Sequence, residues 1–438
     1  MKNKIIILIL LVSTLYSDFL IKESYRKKSK IDRMPKNSVA DMYKIPQNPK
    51  FYTTQIKAIS KNRILQQDRA FNQKYFKPWH IDRFTIPKSD IGWEVRFLQR
   101  KAIYTNSGEI IPPKIYNKWL NNSNMKAFNS KCYHAITIKR TDVKALPTDK
   151  AFYRNPSKRG EGFPFNYNQN SAYHINIPLL ISHFSKDNRW AFVQGSYTFG
   201  WIKTSDLALV NRDFKKQFEN GTYGVTIKDN LRLYNGFKSI SLIKLGAIFP
   251  ISKDGYIFAT RDKKGRAIIS KAKFYKNGLI AKKPLAFTPQ NIAKVAKEFY
   301  GEPYGWGGGY GCRDCSATTK DFFAPFGIFL RRNSSKQAKD GKVISLRGLS
   351  KEAKKSKIIK LAKPFRSLLF VKGHIMLYIG AYKNEPIIMH TYWGLRKNDL
   401  SKLITARTII TSTQAGDERA DIRKRSQLIN TITDIINF

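Results

Sequence analysis

The pattern of apolar positions changes several times along the chain, and each change marks a part. Lys2 and Lys4 precede an apolar run, Ile5 to Val12, which gives way to a small, polar stretch, Ser13 to Ser17. That order is the order of a secretory signal, expected here as residues 1–17. The run is short for a membrane-spanning helix, and an uncleaved anchor is the alternative. Residues 18–128 are polar, lysine-rich and aromatic, with few clear strands. Within them Ala58 to Phe71 reads as helix and Phe76-Lys77-Pro78-Trp79 as a turn. An N-terminal, mainly helical domain is expected.

From residue 129 the period shortens. Cys132 to Ile138, Pro178 to Ser182, Trp190 to Gln194, Gly200-Trp201-Ile202 and Leu207 to Val210 are short β-rich runs between turn residues. They predict a small barrel over 129–214. The texture repeats over 215–284, where Tyr223 to Ile227, Leu231 to Tyr234, Leu242 to Leu245 and Tyr256 to Ala259 alternate with Asn-Gly, Leu-Gly and Asp-Gly turns. A second barrel is expected there. The last part, 285–438, opens on a helix. Thr288 is a good N-cap, Pro289 suits the first helical position, and Ile292, Val295, Ala296 and Phe299 share one face. Phe287 and Ile292 have the spacing of a hydrophobic staple, and Gly301 can close the helix in a left-handed cap.

Chemistry concentrates after that helix. Pro303 to Ser316 is a glycine-rich loop ending in Asp314-Cys315-Ser316, and Ala317 to Phe323 reads as helix. Asp314 can cap it, which puts Cys315 in the first turn, where free N–H groups and the helix dipole favour a thiolate. A phosphate loop would need Gly-Lys-Ser/Thr, and zinc would need more Cys or His at ligand spacing. A redox pair of Cys312 and Cys315 lacks a flanking βαβ pattern, although their spacing can close a disulfide. A nucleophile needs a base. Gly373 to Gly380 reads as a strand, and Ile387 to Thr391 as a second strand after a turn at Lys383 and Asn384. In an antiparallel hairpin His374 and His390 lie nearly opposite each other, the first as base and the second as the group that orients it.

Tyr304-x-Trp306-Gly307-Gly308, Asp314-Cys315-Ser316, Gly373-His374 in an apolar strand, and His390 together resemble the NlpC/P60 family of cell-wall cysteine peptidases. Leu330 to Gln337 is similar to that family's Pro-Arg-x-Ser-x-x-Gln stretch, with Arg331 in place of proline. Segments Gly162 to Ser171, Ile181 to Asp187 and Gly200 to Ala208 resemble the first SH3-like domain of its multidomain members. Ala317 departs from the family's usual glycine, and Cys312 is extra.

The resemblance implies an α+β chain: a papain-like catalytic domain preceded by two small SH3-like β-barrels and an N-terminal stabilising domain. It implies hydrolysis of the γ-D-glutamyl–diamino acid bond of peptidoglycan stems, commonly at meso-diaminopimelate, with Cys315, His374 and His390 catalytic. Asp314, Ser316, Ser334 and Tyr304 match positions that touch substrate, and Tyr197, ahead of Gly200-Trp201, is a barrel residue expected to line the site. No cofactor or metal is called for. The rival readings are a non-catalytic wall-binding or scaffold protein and a related thiol amidase or acyltransferase.

The net charge of +49 changes the picture of partners only. A polycation seeks polyanions. The export signal and the even spread of Lys and Arg argue against nucleic acid. The expected partners are peptidoglycan or its stem peptides, with electrostatic contact to anionic envelope polymers, and the expected place is the periplasm or cell envelope. With three cysteines, no disulfide framework is expected.

Overall fold

The computed structural model describes residues 38–438 apart from 58, 159, 236–237 and 275–277. The expected signal segment, residues 1–17, lies outside them. Ser60 accepts a hydrogen bond from the Arg63 N–H and starts helix α1 at Lys61. The helix continues to Phe76, past the Phe71 read from sequence, because Phe71, Tyr75 and Phe76 keep one buried face. Trp79, in the tight turn Lys77–Trp79 that follows, extends that face. The N-terminal part also holds two more long helices, α2 (Trp93–Arg100) and α3 (Pro113–Asn122), and short helical turns at Asp41–Lys44 and Pro49–Gln55.

The next stretch is an antiparallel sheet of seven strands: β1 (Tyr133–Thr137), β2 (Thr141–Lys144), β3 (Gln169–Tyr173), β4 (Pro178–Phe184), β5 (Trp190–Gly195), β6 (Phe199–Lys203) and β7 (Leu207–Leu209). Their order is β3-β2-β6-β5-β4-β1-β7. Helix α4 (Arg212–Phe218), capped by Asn211, leads into a five-stranded sheet and a two-stranded hairpin between Tyr223 and Lys282. Phe249 and Phe258 are fully buried at the centre of this second unit.

Helix α5 (Pro289–Phe299) follows the capping signals. Thr288 accepts from the Asn291 N–H, the four apolar residues of its face are completely buried, and Gly301 adopts φ +77°. The chain then forms helix α6 (Cys315–Phe323), helix α7 (Lys351–Leu361) and a six-stranded antiparallel sheet. Three of its strands carry the argument below: β8 (Ser367–Val371), β9 (His374–Tyr382) and β10 (Glu385–Arg396). Helix α6 packs on β9 and β10, the papain-like arrangement, and the whole is α+β. Among the described residues no helix is long and apolar enough to cross a membrane.

The N-terminal helix is bolted to both sheets. The Trp79 indole N–H donates to the Ala135 carbonyl at 2.8 Å, and its ring packs on Phe76, Phe214 and Phe218. The Tyr75 hydroxyl donates to the Asn176 carbonyl at 2.7 Å, and Phe76 packs on Tyr223. Trp79→Ala therefore leaves a large cavity and an unpaired carbonyl. It is expected to lower stability by about 3–5 kcal/mol, read as a lower urea midpoint with unchanged slope. An unmoved midpoint would mean that this helix does not pack here in solution.

Candidate active site

The glycine-rich loop is shaped by what presses on it. Gly307 and Gly308 have φ of +59° and +79°. A Cβ on Gly307 would lie 2.2 Å from the Gln169 carbonyl oxygen of β3, so only glycine lets loop and barrel meet. Backbone bonds from Tyr304 N–H to Ala406 and from Gly305 N–H to Arg313 pin the loop's start.

Asp314 ends the loop and caps α6, accepting from the Ala317 N–H at 2.9 Å. Its carboxylate also accepts from the Gly307 N–H (3.1 Å), the Ser316 hydroxyl (3.2 Å) and both terminal nitrogens of Arg332 (3.0 and 2.7 Å). Arg332 donates onward to Ser316 Oγ at 2.7 Å and to Ser171 Oγ of the first barrel at 2.8 Å. Asp314 is thus matched before any ligand arrives, and an incoming ammonium would share it with a guanidinium.

Cys315 occupies the first position of α6. Its sulfur accepts from the N–H groups of Ile375 and Ser316, which sets it against the residue following His374. The helix start was expected to favour the thiolate. Burial, and then the Asp314 carboxylate, outweigh those N–H groups and Arg332, and push the thiol up to about 12.

The two histidines meet. His374 Nε2 lies 2.9 Å from His390 Nδ1, and His390 Nε2 lies 3.2 Å from Thr411 Oγ1. They are diagonal rather than opposite neighbours: Leu377 faces Met389 and Tyr378 faces Ile388, a register that carries His390 opposite Met376. Lys383 and Asn384, both at positive φ, make the turn. Tyr392 packs on both rings, at 5.1 and 4.9 Å between centroids. Burial lowers His374 to about 4, with Asp314 opposing, and burial together with the neighbouring His374 lowers His390 well below its ordinary value. The line of side chains is neutral at rest. His374 Nδ1 is the nitrogen left for chemistry.

A cleft of about 780 Å³ brings together Cys315, Asp314, Ser316, Ser334, Tyr304 and Tyr197. His374 and His390 stand behind its edge at Gly373. Tyr304 is kept protonated by burial and by nearby Asp314 and Cys315, so its hydroxyl is a donor. Tyr197 offers its ring, since its hydroxyl already donates to the Ala172 carbonyl at 3.2 Å. Cys312 opens on a separate cavity of about 30 Å³ beside Lys244 and Arg313, and all three cysteines are free thiols. The disulfide that the spacing allowed is absent.

The sequence reading missed three groups. Arg332 sits inside the Leu330–Gln337 stretch but was not singled out. Asp90 and Trp93 wall the cleft from the N-terminal part, and Asp90 pairs with Lys336. Nothing local marks those two. Among the described residues no group of three or more His, Cys, Asp or Glu is placed to hold a metal ion.

Three family models match: the NLPC_P60 N-terminal stabilising domain over residues 7–128, an SH3 domain of the SH3b1 type over 151–203, and the NlpC/P60 family over 301–412. A single SH3 match is found, so the second barrel rests on its strands alone. No curated protein matches the chain. Among solved structures, an NlpC/P60 endopeptidase from Photobacterium damselae subsp. piscicida is 26% identical with a TM-score of 0.81, covering 90% of this chain and 97% of that one. An NlpC/P60 family protein from Bacillus cereus is 14% identical with a TM-score of 0.43, covering 70% of this chain and 99% of that one. With its stabilising domain, SH3-like region and Cys315-bearing helix in the order these matches give, the chain belongs to the NlpC/P60 family.

Proposed function

We propose that this chain is a cell-envelope cysteine endopeptidase that hydrolyses peptidoglycan stem peptides at the γ-D-glutamyl–diamino acid bond, with meso-diaminopimelate as the expected diamino acid. The observation that carries the reading is the 2.9 Å His374–His390 contact behind the edge of a cleft that is lined by a cysteine at a helix start. A buried imidazole pair beside a cysteine favours catalysis over a non-catalytic scaffold. The barrels and the net charge of +49 suit retention at an anionic wall.

In this mechanism the Cys315 sulfur attacks the glutamyl carbonyl while its proton passes to His374 Nδ1. The Cys315 N–H and the Tyr304 hydroxyl hold the oxyanion. The C–N bond breaks as His374 returns the proton to the leaving amine. Water, activated by the same imidazole, then releases the acyl group and regenerates the thiol. His390 steadies the imidazolium, and Thr411 steadies His390. Ser316 and Ser334 are proposed to hold the stem backbone. Asp314 is proposed as the negative end of that subsite, shared with Arg332. Because the N-terminal part and the Gln194–Phe199 turn wall the cleft, free stem peptides are the preferred substrate over glycan-linked ones.

Mass spectrometry of muropeptides separates the readings. Cys315→Ala and His374→Ala should each lower cleavage by ~10⁴ or more with the fold intact. His390→Ala removes one charge-assisted hydrogen bond and should cost about 10- to 150-fold. Full activity in Cys315→Ala would end the thiol mechanism.

The pH profile follows from His374. Its folded value, about 4, lies below the ordinary 6.5, and the base works only when neutral. The acid limb of kcat/KM should therefore fall near pH 4. A limb centred near 6.5 would contradict the burial that sets the shift. The same depression makes the unfolded state bind more protons between about pH 4 and 6.5. The stability it confers is full above that window and declines as pH falls through it, which a melting series across those pH values will show.

A further inference from the structure

Behind the nucleophile, away from the cleft, lies a buried ionic cluster that the mechanism does not use. Its centre is Arg313, two residues before Cys315, with a side chain only 3% exposed. Its Nε donates to Asp321 at 2.6 Å. One terminal nitrogen donates to Asp229 (2.8 Å) and Glu302 (2.8 Å), and the other to Asp229 (2.8 Å) and the Leu245 carbonyl (3.2 Å). The guanidinium also lies 4.9 Å from the centre of the Phe299 ring. Lys244 adds bonds to Asp229 (2.6 Å) and Glu302 (2.8 Å).

The origins of these groups matter. Asp229, Lys244 and Leu245 belong to the second barrel. Glu302 follows α5, and Asp321 lies on α6, the helix that begins with Cys315. Asp321 is also bonded to His174 of the first barrel at 2.9 Å. One guanidinium therefore joins the second barrel to the nucleophile's helix, and its planar fork is matched on every side. A barrel that served only to hold the wall would need no such connection to the back of the active site.

We infer that Arg313 is a positioning residue and that the second barrel, through Asp229 and Lys244, acts as a brace that fixes helix α6 and Cys315. It is not primarily a wall-binding module. The inference rests on the proposed peptidase reading for its kinetic arm and is independent of it for its chemical arm. Asp229→Asn keeps the shape and removes one charge from the brace. Arg313→Met removes the fork, and Arg313→Lys returns the charge without it.

For cleavage of a purified stem tripeptide, Asp229→Asn should lower kcat about tenfold with KM within twofold. Arg313→Met should lose more, and Arg313→Lys should recover part of that loss. In parallel, iodoacetamide labelling of Cys315, followed by peptide mass spectrometry, should be at least threefold faster in Asp229→Asn, because a loosened helix opens further a thiol that is now only partly exposed. In a Cys315→Ala background, Asp229→Asn should sediment with purified sacculi as well as Cys315→Ala alone. Unchanged kcat with unchanged labelling would overturn the brace, and so would unchanged kcat with reduced sedimentation. If the wild type cleaves no stem peptide, the peptidase reading fails while the labelling comparison still decides the brace.

Discussion

A helix that is buried on all sides yet carries charges dictates much of this architecture. From Ser316 to Phe323 every residue of α6 is buried, and the run includes Lys320 and Asp321, with Asp314 capping the start. A buried charge without a partner is costly, so each must be met where it lies. Arg332 meets Asp314, and Arg313, Lys320 and His174 meet Asp321. Lys320 comes from the helix itself, and the others come from the turn after β3, the end of the glycine-rich loop and a downstream bend. The helix is therefore held by charges drawn from the first barrel, the loop before it and the segment after it.

The same pairing leaves the surface charge close to that of the whole chain. Asp68, Asp206, Asp229, Glu302, Asp314 and Asp321 are buried, and so are Lys144, Lys244, Lys283, Arg313, Lys320, Arg332, Lys354 and Arg366. With 80 basic residues against 31 acidic ones, the outer face stays strongly positive, which favours long-range attraction to polyanions at low salt.

Local signals in the sequence were legible where the physics is local. Thr288, Pro289 and the apolar spacing up to Phe299 defined α5, because capping and periodicity act within one helix. Asp314 was legible as a cap, and the hairpin was legible from its apolar runs around Lys383 and Asn384. Whatever depended on distant partners was not. Helix α1 reaches Phe76 because Tyr75 and Phe76 find pockets more than a hundred residues away, which no window of the sequence contains. The diagonal placement of the histidines depends on a strand register that alternation alone leaves open. The sign of the Cys315 shift was misread for the same reason: the helix start is written in the sequence, whereas the enclosure that outweighs it comes from three separate segments.

That enclosure has a chemical consequence. Peroxides and disulfides react with thiolates, and a thiol whose proton is held up to about 12 presents almost none at neutral pH. Its neighbouring imidazole, lowered to about 4, does not withdraw that proton at rest. Cys315 at rest is therefore a poor target for oxidants, and any chemistry it performs waits for a partner that draws off its proton.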